Sequence, residues 1–221
     1  MTEAPNLWQK PRIVSVVVDN DSWILPFANE LIESIGDIGD KATLCRRHDE
    51  IQAGSVAFYL GCVQIAPPEV LAKNRYNLVV HASDLPKGRG FSPLTWQVLE
   101  GRNVIPVCLF RADEQVDAGE VYYREDIHYE GHELIDEMRA VLGAKTIEMC
   151  QRFLYESIRP EGQTRFGHPT YYVRRYPKDS ELDPNKTIAE QFNMLRVVDN
   201  DRYPAFFRYA GHRYRLQIEK F

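Results

Sequence analysis

A chain of 221 residues is long enough for one domain with a substantial core, and 27 basic against 32 acidic residues give a formal charge of -5, which argues against a protein that lives on nucleic acid or an acidic membrane surface. The four cysteines, Cys45, Cys62, Cys108 and Cys150, stand far apart in no paired-ligand spacing and read as reduced thiols, which points to the cytoplasm. The opening MTEAPNLWQKPR lacks the apolar core of a signal peptide, and no apolar run approaches the roughly 20 residues that cross a bilayer, so a soluble protein is expected.

In chain order, residues 12–18 (RIVSVVV) open after Pro11 and close at Asp19-Asn20-Asp21, the pattern of a strand buried on both faces. Ile24, Phe27, Ala28, Leu31, Ile32 and Ile35 recur at helical spacing and predict a helix over 23–35 stopped by Gly36. A strand at 55–60, a short helix at 67–73, a strand at 77–81, a helix opened by Ser92-Pro93 and a strand at 103–110 follow. A polar strand at 120–125 and a long amphipathic helix from Leu134 to Leu154 close this unit. The alternation predicts an α/β fold over 1–158, a Rossmann-like, mostly parallel sheet with helices on both faces. Residues 159–170 read as a Pro/Gly linker. Residues 159–221 read as a small C-terminal α+β subdomain contributing to the substrate site, with a helix carrying Ile188, Phe192 and Leu195 and two strands around Ala210-Gly211.

The glycines of PKGRG (86–90) match neither a dinucleotide fingerprint nor a Walker loop, which argues against a nucleoside triphosphatase. In HYEGH (128–132) two histidines stand four apart, but Gly131 interrupts the helix they need and no metal site is expected. The stronger constellation is distant: His81 ends a buried strand, and Asp117 follows the next one. Ligands on α/β sheets collect beyond strand ends, so both can meet at one cleft. On periodicity alone, a capping histidine and a turn aspartate fit as well as an acid/base pair.

The strand ending in His81, the run HASDLPKGRGFSPLTWQVLEGRN, the segment LFRADEQVDAGEVY and the later YYVRRYPKDSELD together resemble the 10-formyltetrahydrofolate-dependent formyltransferases. In that family a histidine in an Asn-x-His-Pro-Ser segment, a Leu-Pro-x-x-x-Gly loop and a downstream Asp-x-Gly carry the chemistry. His81, Leu85 to Gly90, and Asp117-Ala118-Gly119 match them. The family's proline falls on Ala82 and its asparagine on Val79. Asn77 is no obvious substitute, lying about 13 Å from His81 along the strand. The resemblance implies that His81 and Asp117 are catalytic. With the asparagine gone a substitute oxyanion donor is expected, protonated His81 first and a backbone N–H or the Ser83 hydroxyl next.

The resemblance further implies folate-binding loops at 61–65 and 110–117, with Cys62, Val63, Ile65, Phe110, Asp113 and Val116 as their contacts. Lys87, Gly88 and Arg89 beside His81, Arg196 and Phe207 are the implied substrate contacts. Arg174, Arg175, Arg202 and Arg208 read as a solvated basic face. The implied reaction moves a formyl group from 10-formyltetrahydrofolate to a nucleotide-linked amino sugar. SELDPNKTIAEQFNMLRVVDNDRYPAFF is similar to the formyltransferases of bacterial pseudaminic acid synthesis, and that resemblance implies UDP-4-amino-4,6-dideoxy-N-acetyl-altrosamine as the acceptor. A dTDP-linked 4-aminohexose acceptor, or a non-catalytic folate or nucleotide-sugar binding protein, are the alternatives. Neither nucleic acid nor membrane is an expected partner.

Overall fold

The structure is a computed structural model that describes residues 11–156 and 161–221. The first ten residues and the expected domain boundary at 158/159 lie outside the described residues. The elements are β1 (Ile13–Val17), α1 (Leu25–Asp37), β2 (Lys41–Cys45), β3 (Gly54–Tyr59), α2 (Pro68–Leu71), β4 (Asn74–His81), β5 (Arg89–Gly90), α3 (Pro93–Leu99), β6 (Val104–Arg111), β7 (Val121–His128), α4 (Ile135–Tyr155), β8 (Tyr171–Tyr172), β9 (Glu181–Leu182), α5 (Phe192–Val197), β10 (Ala205–Tyr209) and β11 (His212–Leu216).

Six strands form one sheet in the order β2-β1-β3-β4-β6-β7. The first four are mutually parallel, β6 is antiparallel to β4, and β7 reverses again. Alternate residues serve opposite faces. Val14, Val16, Phe58 and Leu78 enter the main core with Leu31, Val98 and Met138, whereas Val17, Ala57 and Tyr59 pack under Ile51 and Val70 on a thinner second face. The Rossmann-like α/β fold with helices on both faces is therefore present.

Four local features differ from the sequence reading. The edge strand β2 was not anticipated, because KATLC alternates exposed and half-buried positions without an apolar run. Helix α1 passes through Gly36, and the left-handed residue beyond it is Gly39, at φ +84°. Ser92 precedes Pro93 as expected but sits at φ +49° and makes no side-chain cap. Finally, β6 runs against β4. Helix length alone does not decide this, since the four residues of α2 join the parallel pair β3 and β4. The chain re-enters the sheet at the end where β4 stops.

Residues 161–221 build a three-stranded sheet, β11-β10-β9, over a small core of Leu182, Leu195, Val198 and Ala205. Ala210 and Gly211 both have positive φ, +47° and +80°, matching the tight turn that joins β10 to β11. This part also reaches back onto the large sheet: β8 pairs in parallel with β5, and Gln163 bridges to Val121 of β7.

Candidate active site

His81 is the last residue of β4 and shares a strand side with Asn77 and Val79. Asp117 comes from the 112–120 connection, which leaves the sheet at Arg111, opposite Leu78, and folds back. Two residues shape that return. Asp117 adopts φ +50°, a conformation aspartate tolerates better than most residues. Gly119 has no room for a side chain, since a Cβ there would stand 1.9 Å from the Arg111 carbonyl oxygen.

The His81 and Asp117 side chains are 10% and 13% exposed, and Nε2 lies 3.6 Å from Oδ2, longer than a hydrogen bond. At 2.8 Å the Nε2–H instead donates to the Gly88 carbonyl, and the Gly90 N–H donates to Asp117 Oδ2. A carbonyl only accepts, so Nε2 carries the proton and the neutral ring keeps its lone pair on Nδ1.

Two cavities meet at this histidine. The smaller, about 250 Å3, opens on the Val79 side of the sheet, and the larger, about 300 Å3, on the side of α1 and α4. His81 and Cys62 are the titratable side chains that line both. Burial pushes the Cys62 thiol up to about 12, so it stays protonated at neutral pH and His81 is the shared polar side chain left to act on both cavities.

The smaller cavity brings together Cys62, Val63, Ile65, Phe110, Asp113 and Val116, with Asp117 and His81 also in its wall. Val63, Ile65 and Val116 remain 41%, 62% and 38% exposed around its opening, an apolar rim suited to cover a flat ring. Asp19, which the sequence marks only as a strand end, accepts N–H bonds from Val63 and Gln64 at 2.8 to 3.1 Å and pins the loop. The larger cavity is lined by Arg139, Arg174, Arg175 and Arg202. Arg139 is paired with Asp199 at 2.9 Å. Arg175 is 8% exposed; its Nη2 bonds the Asp179 carbonyl and Ser180, while its buried Nε has no partner.

Residues 41–148 match the family model described as formyl transferase. The chain is 29% identical over 138 residues to the methionyl-tRNA formyltransferase of Thermodesulfovibrio yellowstonii, over 60% of this chain and 44% of that one. The match thus spans less than half of that relative's length. Among solved structures, a methionyl-tRNA formyltransferase from Clostridium thermocellum superposes with a TM-score of 0.79 at 21% identity, over 95% of this chain and 92% of that one. A likely sugar N-formyltransferase from Mycobacterium tuberculosis gives 0.73 at 18%, over 93% and 96%. HypX from Aquifex aeolicus in complex with tetrahydrofolic acid gives 0.68 at 14%, over 94% and 38%. At these identities the structural likeness is one of fold.

The structure places the implied substrate contacts away from both cavities. Lys87, Gly88, Arg89, Arg196 and Phe207 line neither cavity. Lys87 is exposed. Gly88 is spent on the loop itself, its N–H donating to Thr170 Oγ1 and its carbonyl accepting from His81. Arg89 is buried against Tyr171, its Nη1 3.4 Å from the hydroxyl. Arg196 is 2% exposed and bonds Glu133 and Asn103, because α5 packs that side chain inward. Phe207 stacks on Tyr214 at 5.4 Å, beside the small C-terminal core. The cations that do reach the larger cavity include Arg174, Arg175 and Arg202, read from sequence as a solvated face. Their signal lay in the neighbouring Tyr171-Tyr172, which pairs with a loop where Gly88 and Gly90 permit close approach. A Cβ on Gly90 would meet the Tyr172 carbonyl at 2.5 Å.

Asn77 cannot act for the asparagine replaced at Val79. Its Oδ1 accepts from Tyr59 and its Nδ2 donates to the Leu71 and Asn74 carbonyls. The Ser83 hydroxyl is buried and unpaired, and Ser83 lines neither cavity. Val79 packs on the cluster of Leu85, Cys108, Phe110 and Val121. Val79 is also half-buried in the wall of the smaller cavity, so Val79→Asn is expected to cost little stability in denaturant unfolding and, with His81 as donor, to bring at most a small gain in transfer rate. Among the described residues no group of three or more His, Cys, Asp or Glu side chains gathers as a metal site, and none of their helices is long and apolar enough to cross a membrane.

Proposed function

We propose that this protein is an N-formyltransferase that uses 10-formyltetrahydrofolate as donor and the amine of a nucleotide-linked amino sugar as acceptor. The observation that carries this reading is the position of His81 in the wall common to two cavities, one apolar-rimmed and one arginine-lined. A pterin ring fits the first by its flat apolar faces, with Val63, Ile65, Phe110 and Val116 to cover it. An anionic nucleotide fits the second, where the partnerless Nε of buried Arg175 is a donor awaiting an acceptor, and where Arg174 and Arg202 add charge. Tyr203 also lines that cavity and offers a ring to a base.

The bound folate supplies an activated formyl carbon. The acceptor nitrogen bonds to that carbon, the bond from carbon to the folate nitrogen breaks, and the amine's proton must end on the folate nitrogen. His81 supplies the donor: its Nε2–H turns from the Gly88 carbonyl to the formyl oxygen, where negative charge develops. Asp117 lies 3.6 Å from that nitrogen, takes the amine's proton and returns it to the leaving nitrogen, while the Gly90 N–H keeps its carboxylate in place.

Incubation with 10-formyltetrahydrofolate and a panel of amino-sugar nucleotides, read by product mass, tests the proposal. UDP-4-amino-4,6-dideoxy-N-acetyl-altrosamine is the first acceptor to try, beside dTDP-linked 4-aminohexoses and methionyl-tRNA. Formylated tRNA without any formylated sugar would overturn the acceptor, and folate binding without transfer to any amine would overturn catalysis. Arg175→Met should raise the KM for the sugar nucleotide by about tenfold or more, the worth of a charge-assisted hydrogen bond, with the folate KM unchanged. An equal rise for both would remove Arg175 from the acceptor side.

A further inference from the structure

We propose that Thr170 is a positioning residue for His81, acting through the peptide groups of Gly88; the inference rests on the reading of His81 given above. Thr170 grips the loop at two points. Its Oγ1 accepts the Gly88 N–H at 2.8 Å, and its carbonyl accepts the Arg89 N–H at 2.9 Å. The Arg89 N–H and the Gly88 carbonyl belong to one peptide group, and that carbonyl accepts His81 Nε2–H at 2.8 Å. The bonds therefore run in series from His81 through a single peptide to Thr170. Donation from the N–H side of a peptide polarises its carbonyl and strengthens it as an acceptor.

The consequence is a fixed tautomer. While the Gly88 carbonyl is held in place, the neutral His81 ring must carry its proton on Nε2, the atom that faces Asp117. Gly88 meets this demand at φ +71°, where a side chain would be strained and would strike the Tyr172 ring at 2.9 Å. The strap is anchored beyond the site: Tyr172 stacks on Trp96 at 6.2 Å and its hydroxyl donates to Glu100 at 3.0 Å, while the Trp96 indole N–H donates to the Val173 carbonyl at 2.9 Å. Thr170 is itself on the surface, so changing it leaves the core packing alone.

Thr170→Val tests the side-chain grip: it keeps the backbone carbonyl on the Arg89 N–H but replaces the Oγ1 acceptor by a methyl of the same shape, so Gly88 loses the bond that fixes the direction of its carbonyl. Imidazole nitrogen NMR of the full chain, with the His81 signals identified by their loss in His81→Gln, should show the wild-type neutral ring as the Nε2–H form. Thr170→Val should give a mixture of tautomers and Thr170→Ser should restore the single form. In transfer assays Thr170→Val should lower kcat about tenfold, the rate equivalent of one hydrogen bond, with the folate KM unchanged, and Thr170→Ser should recover it. An unchanged tautomer in a folded Thr170→Val protein would overturn the inference. Should Thr170→Val fail to fold, Thr170→Ala supplies the same NMR reading, and a wild-type tautomer there would overturn it equally. The NMR result needs no acceptor, so failure of the proposed reaction is read separately.

Discussion

Replacing His81 with alanine is expected to lower formyl transfer by about 10²- to 10³-fold, the usual worth of one oxyanion donor, while the unfolding midpoint stays near that of the unaltered protein. The ring lies at the wall between the two cavities, and its bonded partner is a loop carbonyl, so its removal opens space toward ligand instead of inside the core. Asp117→Asn should cost a comparable factor, since asparagine can still accept the Gly90 N–H but cannot take a proton. The double variant should be hardly worse than either single one, because residues that act as a unit do not add. Steady-state rates of the three proteins test this, and a double variant showing the full product of two modest losses would separate the residues.

Arg196→Ala should have the largest effect on stability. The guanidinium is 2% exposed, with Nε on the Glu133 carbonyl, Nη2 on the Glu133 carboxylate at 3.1 Å and Nη1 on Asn103 at 3.1 Å. Truncation leaves Glu133 largely buried without its counter-ion, and breaking such a pair costs about 3 to 5 kcal/mol. Denaturant unfolding measures the loss, and below the transition the KM for the acceptor should be unchanged. A raised KM at wild-type stability would return Arg196 to the substrate site. Glu133 also gives the region a pH dependence. Burial pushes its carboxyl up, but N–H bonds from Glu130 and Gly131 outweigh this and hold it at about 2. Its folded value lies below the unfolded one, so its stabilisation is complete above about pH 4.5 and is lost as pH falls toward 2. Glu133→Gln should flatten that part of the acid unfolding curve.

Much of this protein is legible in linear order because the signals are local. Apolar runs such as VSVVV and the 3.6-residue spacing through α1 and α4 report burial of single elements, and these hold to within a few residues. The motif residues His81, Asp117 and Gly119 carry their own reasons: a strand end, a tolerated left-handed turn, and a glycine with no room for a Cβ. The loop residues Cys62 through Ile65 and Phe110 through Val116 are recognisable by the same continuity, each group being contiguous in sequence.

Charge is where linear order misleads. Lys87 and Arg89 stand beside His81 in sequence, yet one is exposed and the other buried against Tyr171, whereas Arg174 and Arg175 reach the larger cavity from more than 90 residues away. A cation's role depends on which way its element faces, and that follows from pairings between distant segments, here β5 with β8 and α5 against Glu133. The direction of β6 has the same origin, since a strand's own residues encode burial but not polarity. The sequence by itself determined the α/β class, the strand-end histidine and the family motifs, because each is written in neighbouring residues. Only the tertiary structure decided which arginines line a cavity and that Thr170 holds the His81 loop, because those depend on contacts whose sequence separation no local pattern records.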